Sequence, residues 1–149
     1  MGVRAVYLEH AGGEDRDPLD HNPEFSRRAR GFAVYAALRS LGRSGIAALV
    51  ERCCTLARRF ADQLGAAGGV TVLNDVVLNQ VLVRFDGPDA RTRAVLDAVR
   101  REGTCFMSGT TWQGRAAMRI SVTNWSTDEG DVDASVRTIL KIADQLVSP

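Results

Sequence analysis

The sequence predicts an α+β domain in which a small, mainly antiparallel sheet is covered by helices. Segments with helical spacing alternate with short segments of period two, in the order long helix, β, β, α, β, β, α. Two of the helical segments carry a single apolar stripe, and Gln113-Gly114 separates two strand-like segments as a two-residue loop. With 149 residues, of which 45% are hydrophobic and 25% charged, the chain is long enough to bury one such core.

The first predicted element is a long helical region that begins at Pro23. A break is expected between Gly42 and Gly45, and the glycines that end the stretch 66–69 are expected to end the helix. Residues 1–22 are polar and irregular and are predicted to form a loop. The helix after the break carries an apolar stripe of Ile46, Val50, Cys53, Ala57, Phe60 and Leu64.

Two strands and a second helix follow. Residues 70–73 and 80–85 are predicted strands; in the second, the apolar residues Val81, Val83 and Phe85 alternate with Gln80 and Arg84. The turn at 86–88 ends in a proline of the kind favoured in the first turn of a helix, and that helix is expected to run to about residue 102.

The last part of the chain is predicted to be a β-hairpin followed by a helix. The hairpin strands are residues 105–112 and 115–123, with Gly114 at a position that needs a positive φ. The helix is expected to begin with a capping box from Ser126 to Glu129. Its apolar stripe consists of Val132, Val136, Ile139, Ala143 and Leu146.

Composition and charge exclude several classes of function. The net charge of +1 gives no indication of a nucleic-acid partner, and no run of about 18 apolar residues predicts a membrane span. The N-terminal segment becomes acidic where a secretory signal needs an apolar core. Three cysteines form neither a disulfide framework nor a zinc site, and we therefore expect a reducing, cytoplasmic location. His10 and His21 have no partners at metal spacing, so no metal site is expected.

Three stretches of sequence carry a family resemblance. They are AVYLEH at 5–10, PEFSRRARGF at 23–32 continuing into ALRSLG at 37–42, and GTTWQGR at 109–115 continuing through MRISVTNWST at 118–127. In this order and spacing they resemble the C-terminal part of the pyridoxal-phosphate-dependent group II amino-acid decarboxylases. That family includes the aromatic-amino-acid, glutamate and histidine decarboxylases.

The resemblance implies a division of the chain and a set of partners. Residues 1–22 would be an active-site loop remnant of the large domain, residues 23–65 connecting helices, and residues 66–149 the small C-terminal domain of a fold-type I enzyme. The intact enzyme would use pyridoxal 5′-phosphate (PLP) and an amino-acid substrate. The chain would act in a homodimer or pair with a large PLP domain.

Tyr7 is the catalytic candidate that the resemblance implies. In aromatic-amino-acid members a matching tyrosine lies on a mobile loop and protonates the carbanion left after carbon dioxide departs. A phenol with a pKa near 10 is still protonated at neutral pH, and a loop can close over a site and exclude water. The alternative is an ordinary loop tyrosine or one packed at an interface.

Arg119 is the substrate-binding candidate. Because Met118, Ile120 and Val122 share one face of their strand, Arg119 lies on the other face and need not enter the core. The resemblance implies that this arginine binds the substrate carboxylate, and a planar guanidinium can bind both carboxylate oxygens at once. The alternative is a surface arginine without a ligand.

The only lysine, Lys141, is not expected to be catalytic. A Schiff-base lysine needs a desolvated pocket, whereas Lys141 lies almost opposite Ile139 on its helix, so no cofactor-binding residue is predicted. The remaining candidates are interpreted structurally: Arg27, Arg28 and Arg30 as solvated or paired charges, Trp112 and Trp125 as packing anchors, and Cys53 and Cys54 as small core residues.

Two functions remain open from the sequence. The first is the C-terminal part of an amino-acid decarboxylase, a carboxy-lyase, that supplies Tyr7 and Arg119 but lacks the Schiff-base lysine. The second is a catalytically inert module for oligomerisation or binding that keeps the family pattern as a scaffold. An active stand-alone enzyme is disfavoured, because no residue could hold PLP covalently and no phosphate-binding loop is visible.

Overall fold

The computed structural model describes residues 28–146 and confirms the α+β prediction. Four antiparallel strands form one sheet in the order β1-β2-β4-β3. No helix among the described residues is both long and apolar enough to cross a membrane. The elements are α1 (Arg30–Gly65), β1 (Val70–Val72), β2 (Gln80–Phe85), α2 (Asp89–Glu102), β3 (Ser108–Trp112), β4 (Arg115–Ser121) and α3 (Glu129–Gln145).

Helix α1 is interrupted at Gly42, where a break was predicted. Gly42 has φ 62° and ψ −175°, a left-handed φ that glycine adopts readily because it has no Cβ. The chain divides at this point into two compact units, Met1–Gly42 and Arg43–Pro149. In the first unit, the described helical residues include the exposed side chains of Phe32 and Tyr35.

The core of the second unit lies on one face of the sheet. The pairing of Val81 with Ile120 and of Val83 with Met118 brings apolar side chains of β2 and β4 to the same face. They form one cluster with residues of α2, α3 and the part of α1 that follows Gly42. The buried members are Cys53, Leu56, Ala57, Phe60, Leu64, Val81, Val83, Phe85, Val95, Leu96, Val99, Met107, Met118, Ile120, Val122, Val132, Val136, Ile139, Ile142 and Ala143.

The predicted helix stripes are correct except near their ends. In the α1 stripe Ile46 is half-buried and Val50 is 50% exposed, and in the α3 stripe Leu146 is 45% exposed. The other members of both stripes are buried: Cys53, Ala57, Phe60, Leu64, Val132, Val136, Ile139 and Ala143. Cys53 and Cys54 are both buried, as predicted. The prediction that Trp112 and Trp125 are packing anchors is wrong, because their side chains are 41% and 75% exposed in the described structure.

The start of α3 differs from the predicted capping box. The N-cap is Asp128, whose carboxylate accepts a hydrogen bond from the Asp131 backbone N–H at 3.0 Å, and Asp131 accepts one from the Asp128 N–H at 3.1 Å. Ser126 instead donates to the Oδ1 of Asn124 from its backbone N–H and its hydroxyl. The serine stabilises the turn before the helix, and the helix begins two residues later than predicted.

Arg84 is buried, although the sequence places it on the polar side of β2. The pairing of β2 with β4 ends at Val83 and Met118. Next to this end of the pairing, Arg84 donates to the Ala116 carbonyl oxygen and the Ala116 N–H donates to the Asp89 carboxylate. Arg84 also donates to Asp89 Oδ1 at 2.5 Å and to the Gly87 carbonyl at 2.6 Å. The bond from Arg84 and the Ala116 N–H hold the pKa of the Asp89 carboxyl below its usual value.

Candidate functional site

Arg119 lies at the centre of the sheet on the face opposite the core. Its strand β4 pairs with both β2 and β3, so that Leu82 is its neighbour on one side and Ser108 its neighbour on the other. The side chain is exposed, while Met118 and Ile120 on either side of it in sequence are buried. The predicted orientation of Arg119 is therefore confirmed.

Among the described residues, a hydroxyl group holds the Arg119 guanidinium. Its Nε donates to the Oγ of Ser108 at 2.9 Å, and that hydroxyl lies 3.4 Å from the Arg119 carbonyl oxygen. Within residues 28–146 no carboxylate lies at ion-pair distance from Arg119. Arg59 and Arg84, in contrast, are each paired with an aspartate.

The strands contribute no acidic side chain to the sheet face around Arg119, and the one buried arginine on that face, Arg84, is paired with Asp89. Side chains alternate along each strand, and the residues that share the face of Arg119 include no Asp or Glu. A carboxylate that approached Arg119 would therefore meet no opposing anion from the strands themselves. These face residues are Thr71, Gln80, Leu82, Arg84, Ser108, Thr110, Trp112, Arg115, Ala117 and Ser121.

Sequence reasoning did not identify Ser108, although the hairpin contains the signal. A two-residue loop at 113–114 places Trp112 opposite Arg115, and counting back along both strands places Ser108 opposite Arg119. The loop has the positive φ values that such a hairpin requires, 48° at Gln113 and 76° at Gly114.

A concave region lies at one end of the sheet. It is an open cleft of about 590 Å³ between the α2–β3 loop, the β4–α3 loop and α3, and it is lined by Thr104, Cys105, Asn124, Asp131 and Ser135 among others. Burial raises the pKa of the Cys105 thiol, so this cysteine is not an activated nucleophile. The cleft offers polar groups but no arrangement for acid–base or covalent chemistry.

The remaining predicted residues carry no catalytic site in the described structure. Tyr7, His10, His21 and Arg27 lie outside the described residues. Lys141 is exposed on α3, and a side chain in that position lacks the desolvated pocket that a Schiff-base lysine needs. No group of three His, Cys, Asp or Glu side chains between residues 28 and 146 could hold a metal ion.

Comparison with known proteins confirms the predicted resemblance. The chain is 26% identical over 149 residues to rat (Rattus norvegicus) histidine decarboxylase. The aligned region covers 99% of this chain and 23% of the relative. It is 24% identical over 151 residues to the 3,4-dihydroxyphenylacetaldehyde synthase of Aedes aegypti, with 99% of this chain and 29% of the relative covered. No protein-family model matches the chain.

The fold is also found in solved structures of decarboxylases. A crystal structure of Oryza sativa TDC with PLP superposes with a TM-score of 0.75 at 19% identity, covering 89% of this chain and 30% of that one. The chain thus has the small-domain fold predicted for it. It spans about a quarter of the length of the curated relatives that it matches.

Proposed function

We propose that this chain is the C-terminal part of a pyridoxal-phosphate-dependent amino-acid decarboxylase, in which Arg119 binds the carboxylate of the substrate. The observation that carries the proposal is the state of this arginine. Its guanidinium is exposed, fixed on a rigid strand, and not neutralised by any carboxylate of residues 28–146. Similarity to rat histidine decarboxylase over 99% of the chain supports an amino-acid carboxylate as the anion that such a group would bind.

The role of Arg119 follows from the geometry of its side chain. Two parallel N–H donors match the two oxygens of a carboxylate, and this bidentate pairing orients the carboxylate as well as attracting it. Position on a central strand restrains the guanidinium more than a loop would. Arg119 would thus set the direction of the bond that breaks when carbon dioxide leaves.

Tyr7 is proposed as the proton donor that completes the reaction. The proposal rests on the family resemblance of residues 5–10 and on the chemistry of the phenol, which is protonated at neutral pH. In the intact enzyme, Tyr7→Phe should still release carbon dioxide while forming side products in place of part of the amine. An unchanged ratio of products would remove Tyr7 from the mechanism.

The cofactor would be held by residues other than those of this sequence. PLP supplies an electron sink when it is bound, and the Oryza sativa protein with the same fold was crystallised with PLP. A large domain would contribute the lysine, either in the same polypeptide or in a partner chain, and two such assemblies would form a cytoplasmic homodimer.

Binding of PLP provides the test. The chain is mixed with PLP alone and together with a large PLP-binding domain, and absorbance is followed at about 420 nm, where lysine-bound cofactor absorbs. Absorbance and amino-acid decarboxylation only in the mixture support the proposal, and Arg119→Met should then raise the KM for the amino acid. Release of carbon dioxide by the chain unaided would contradict it.

The second candidate is an inert module for oligomerisation or binding. It is favoured by the exposed position of the only lysine and by the exposed Phe32 and Tyr35 in the first unit. A stable oligomer that gives no absorbance band with PLP, with or without the large domain, would support this alternative.

A further inference from the structure

We infer that Ser108 is a positioning residue for Arg119, which it holds so that the two terminal nitrogens of the guanidinium face the substrate carboxylate. This inference rests on the proposed function and names a second residue of the same site. Ser108 has no charge and no expected contact with the reacting atoms. It would act only through the arginine that it holds.

The sheet register brings the two side chains together. Ser108 and Arg119 are direct cross-strand partners, and directly opposed residues of an antiparallel pair have Cβ atoms about 4.5–5.5 Å apart. The same register pairs Gly109 with Met118, which is fully buried, so that a shift of one residue would expose the core. The hydrogen bond between Ser108 and Arg119 is therefore enforced by packing on the other face.

The atom that Ser108 engages determines which edge of the guanidinium remains for a ligand. A guanidinium can present a carboxylate with either the Nε edge or the edge formed by its two terminal nitrogens. Since Nε already donates to the Ser108 Oγ at 2.9 Å, the terminal edge is the one left to form two parallel bonds. Ser108 thereby selects an end-on approach of the carboxylate to Arg119.

The chemical nature of Ser108 preserves the charge of Arg119. Elsewhere in the unit, Arg59 and Arg84 are fixed by aspartates, which neutralise the guanidinium while orienting it. A hydroxyl orients the guanidinium in the same way and leaves its positive charge for a ligand. Arg59 and Arg84 thus have a structural role, whereas the charge of Arg119 remains available for a ligand.

The experiment measures the hydrogen bond and the binding step separately. In the 149-residue chain, the exchange rate of the Arg119 Nε–H is followed by NMR against that of Arg115, which is exposed on the same strand. We expect slower exchange at Arg119 in the wild type and in Ser108→Thr, and equal rates in Ser108→Ala. Steady-state kinetics then use the decarboxylase assembled with the large domain.

In the assembled enzyme, Ser108→Ala should raise the KM for the amino acid about tenfold, as expected for losing one hydrogen bond to a charged group, with little change in kcat. Ser108→Thr should restore the KM, and Ser44→Ala on the exposed surface of α1 should leave it unchanged. An unaltered KM in Ser108→Ala, together with a raised KM in Arg119→Met, overturns the role of Ser108 alone. An unaltered KM in Arg119→Met overturns the proposed function and the positioning role with it.

Discussion

Replacing Gly109 in β3 by a larger residue is expected to destabilise the domain, because the Leu96 side chain of helix α2 lies close to it. A Cβ placed on Gly109 would lie 2.9 Å from Cδ2 of Leu96. Carbon atoms in contact prefer about 3.5–4.0 Å, so that one of the two groups would have to move by about 0.6 Å or more. Leu96 is only 5% exposed and belongs to the core cluster, which restricts its movement.

The magnitude follows from two opposing effects in Gly109→Ala. Overpacking costs about 1–3 kcal/mol, and replacing a strand glycine by alanine returns about 0.5–1 kcal/mol. We therefore expect the free energy of unfolding to fall by about 1 kcal/mol. Leu96→Ala alone removes buried methyl groups and should cost about 2–5 kcal/mol.

The double variant identifies the contact as the cause. In Gly109→Ala/Leu96→Ala the new methyl group enters space that Leu96 has vacated, so the loss should be smaller than the sum of the single losses by about 1 kcal/mol. Urea unfolding followed by circular dichroism gives each free energy. Gly68→Ala is the control, because a Cβ there meets no atom within 4 Å. Additive losses, or a Gly109→Ala variant as stable as the wild type, would refute the reasoning.

Three further predictions concern charged side chains that fix the helices. The Asp133 carboxylate accepts two hydrogen bonds from Arg59 and one from Gln63, and these bonds lower the pKa of Asp133 from 3.8 to about 2. The ionised carboxylate therefore stabilises the fold fully above about pH 4, and this stabilisation is lost as the pH falls towards 2. Asp133→Asn should flatten the dependence of the urea midpoint on pH in this range. Arg84→Met should lower the urea midpoint strongly, because it leaves Asp89 without its main partner next to the Ala116 N–H. Asp128→Ala should cost about 1 kcal/mol in the same assay through loss of the N-cap of α3.

Each of these predictions has a matched control. Asp144→Asn removes an exposed carboxylate from the same helix as Asp133 and should change the urea midpoint little. Arg93→Met removes a more distant and more exposed partner of Asp89, 3.8 Å away, and should change the midpoint little. Ser126→Ala should destabilise less than Asp128→Ala; the reverse order would restore Ser126 as the N-cap.

The sequence by itself determined the elements and the side of the sheet on which Arg119 lies. Apolar residues at intervals of two and of three or four report which surface of each strand or helix is buried, and this is a local property of the chain. Glycine at Gly42 and Gly114 marked the break in α1 and the hairpin, because both positions require a positive φ. The hairpin loop also fixed the register of β3 against β4.

Apart from the hairpin pair Ser108 and Arg119, only the tertiary structure decided which polar groups meet. Arg84 follows the polar alternation of β2 but is buried, since the turn to α2 brings Asp89 and the Ala116 backbone to it. Either serine or aspartate could have capped α3, and the path of the preceding turn selected Asp128. Hydrogen bonds of this kind join residues distant along the chain at separations of about 3 Å, and periodicity, which reports burial alone, contains no information about them.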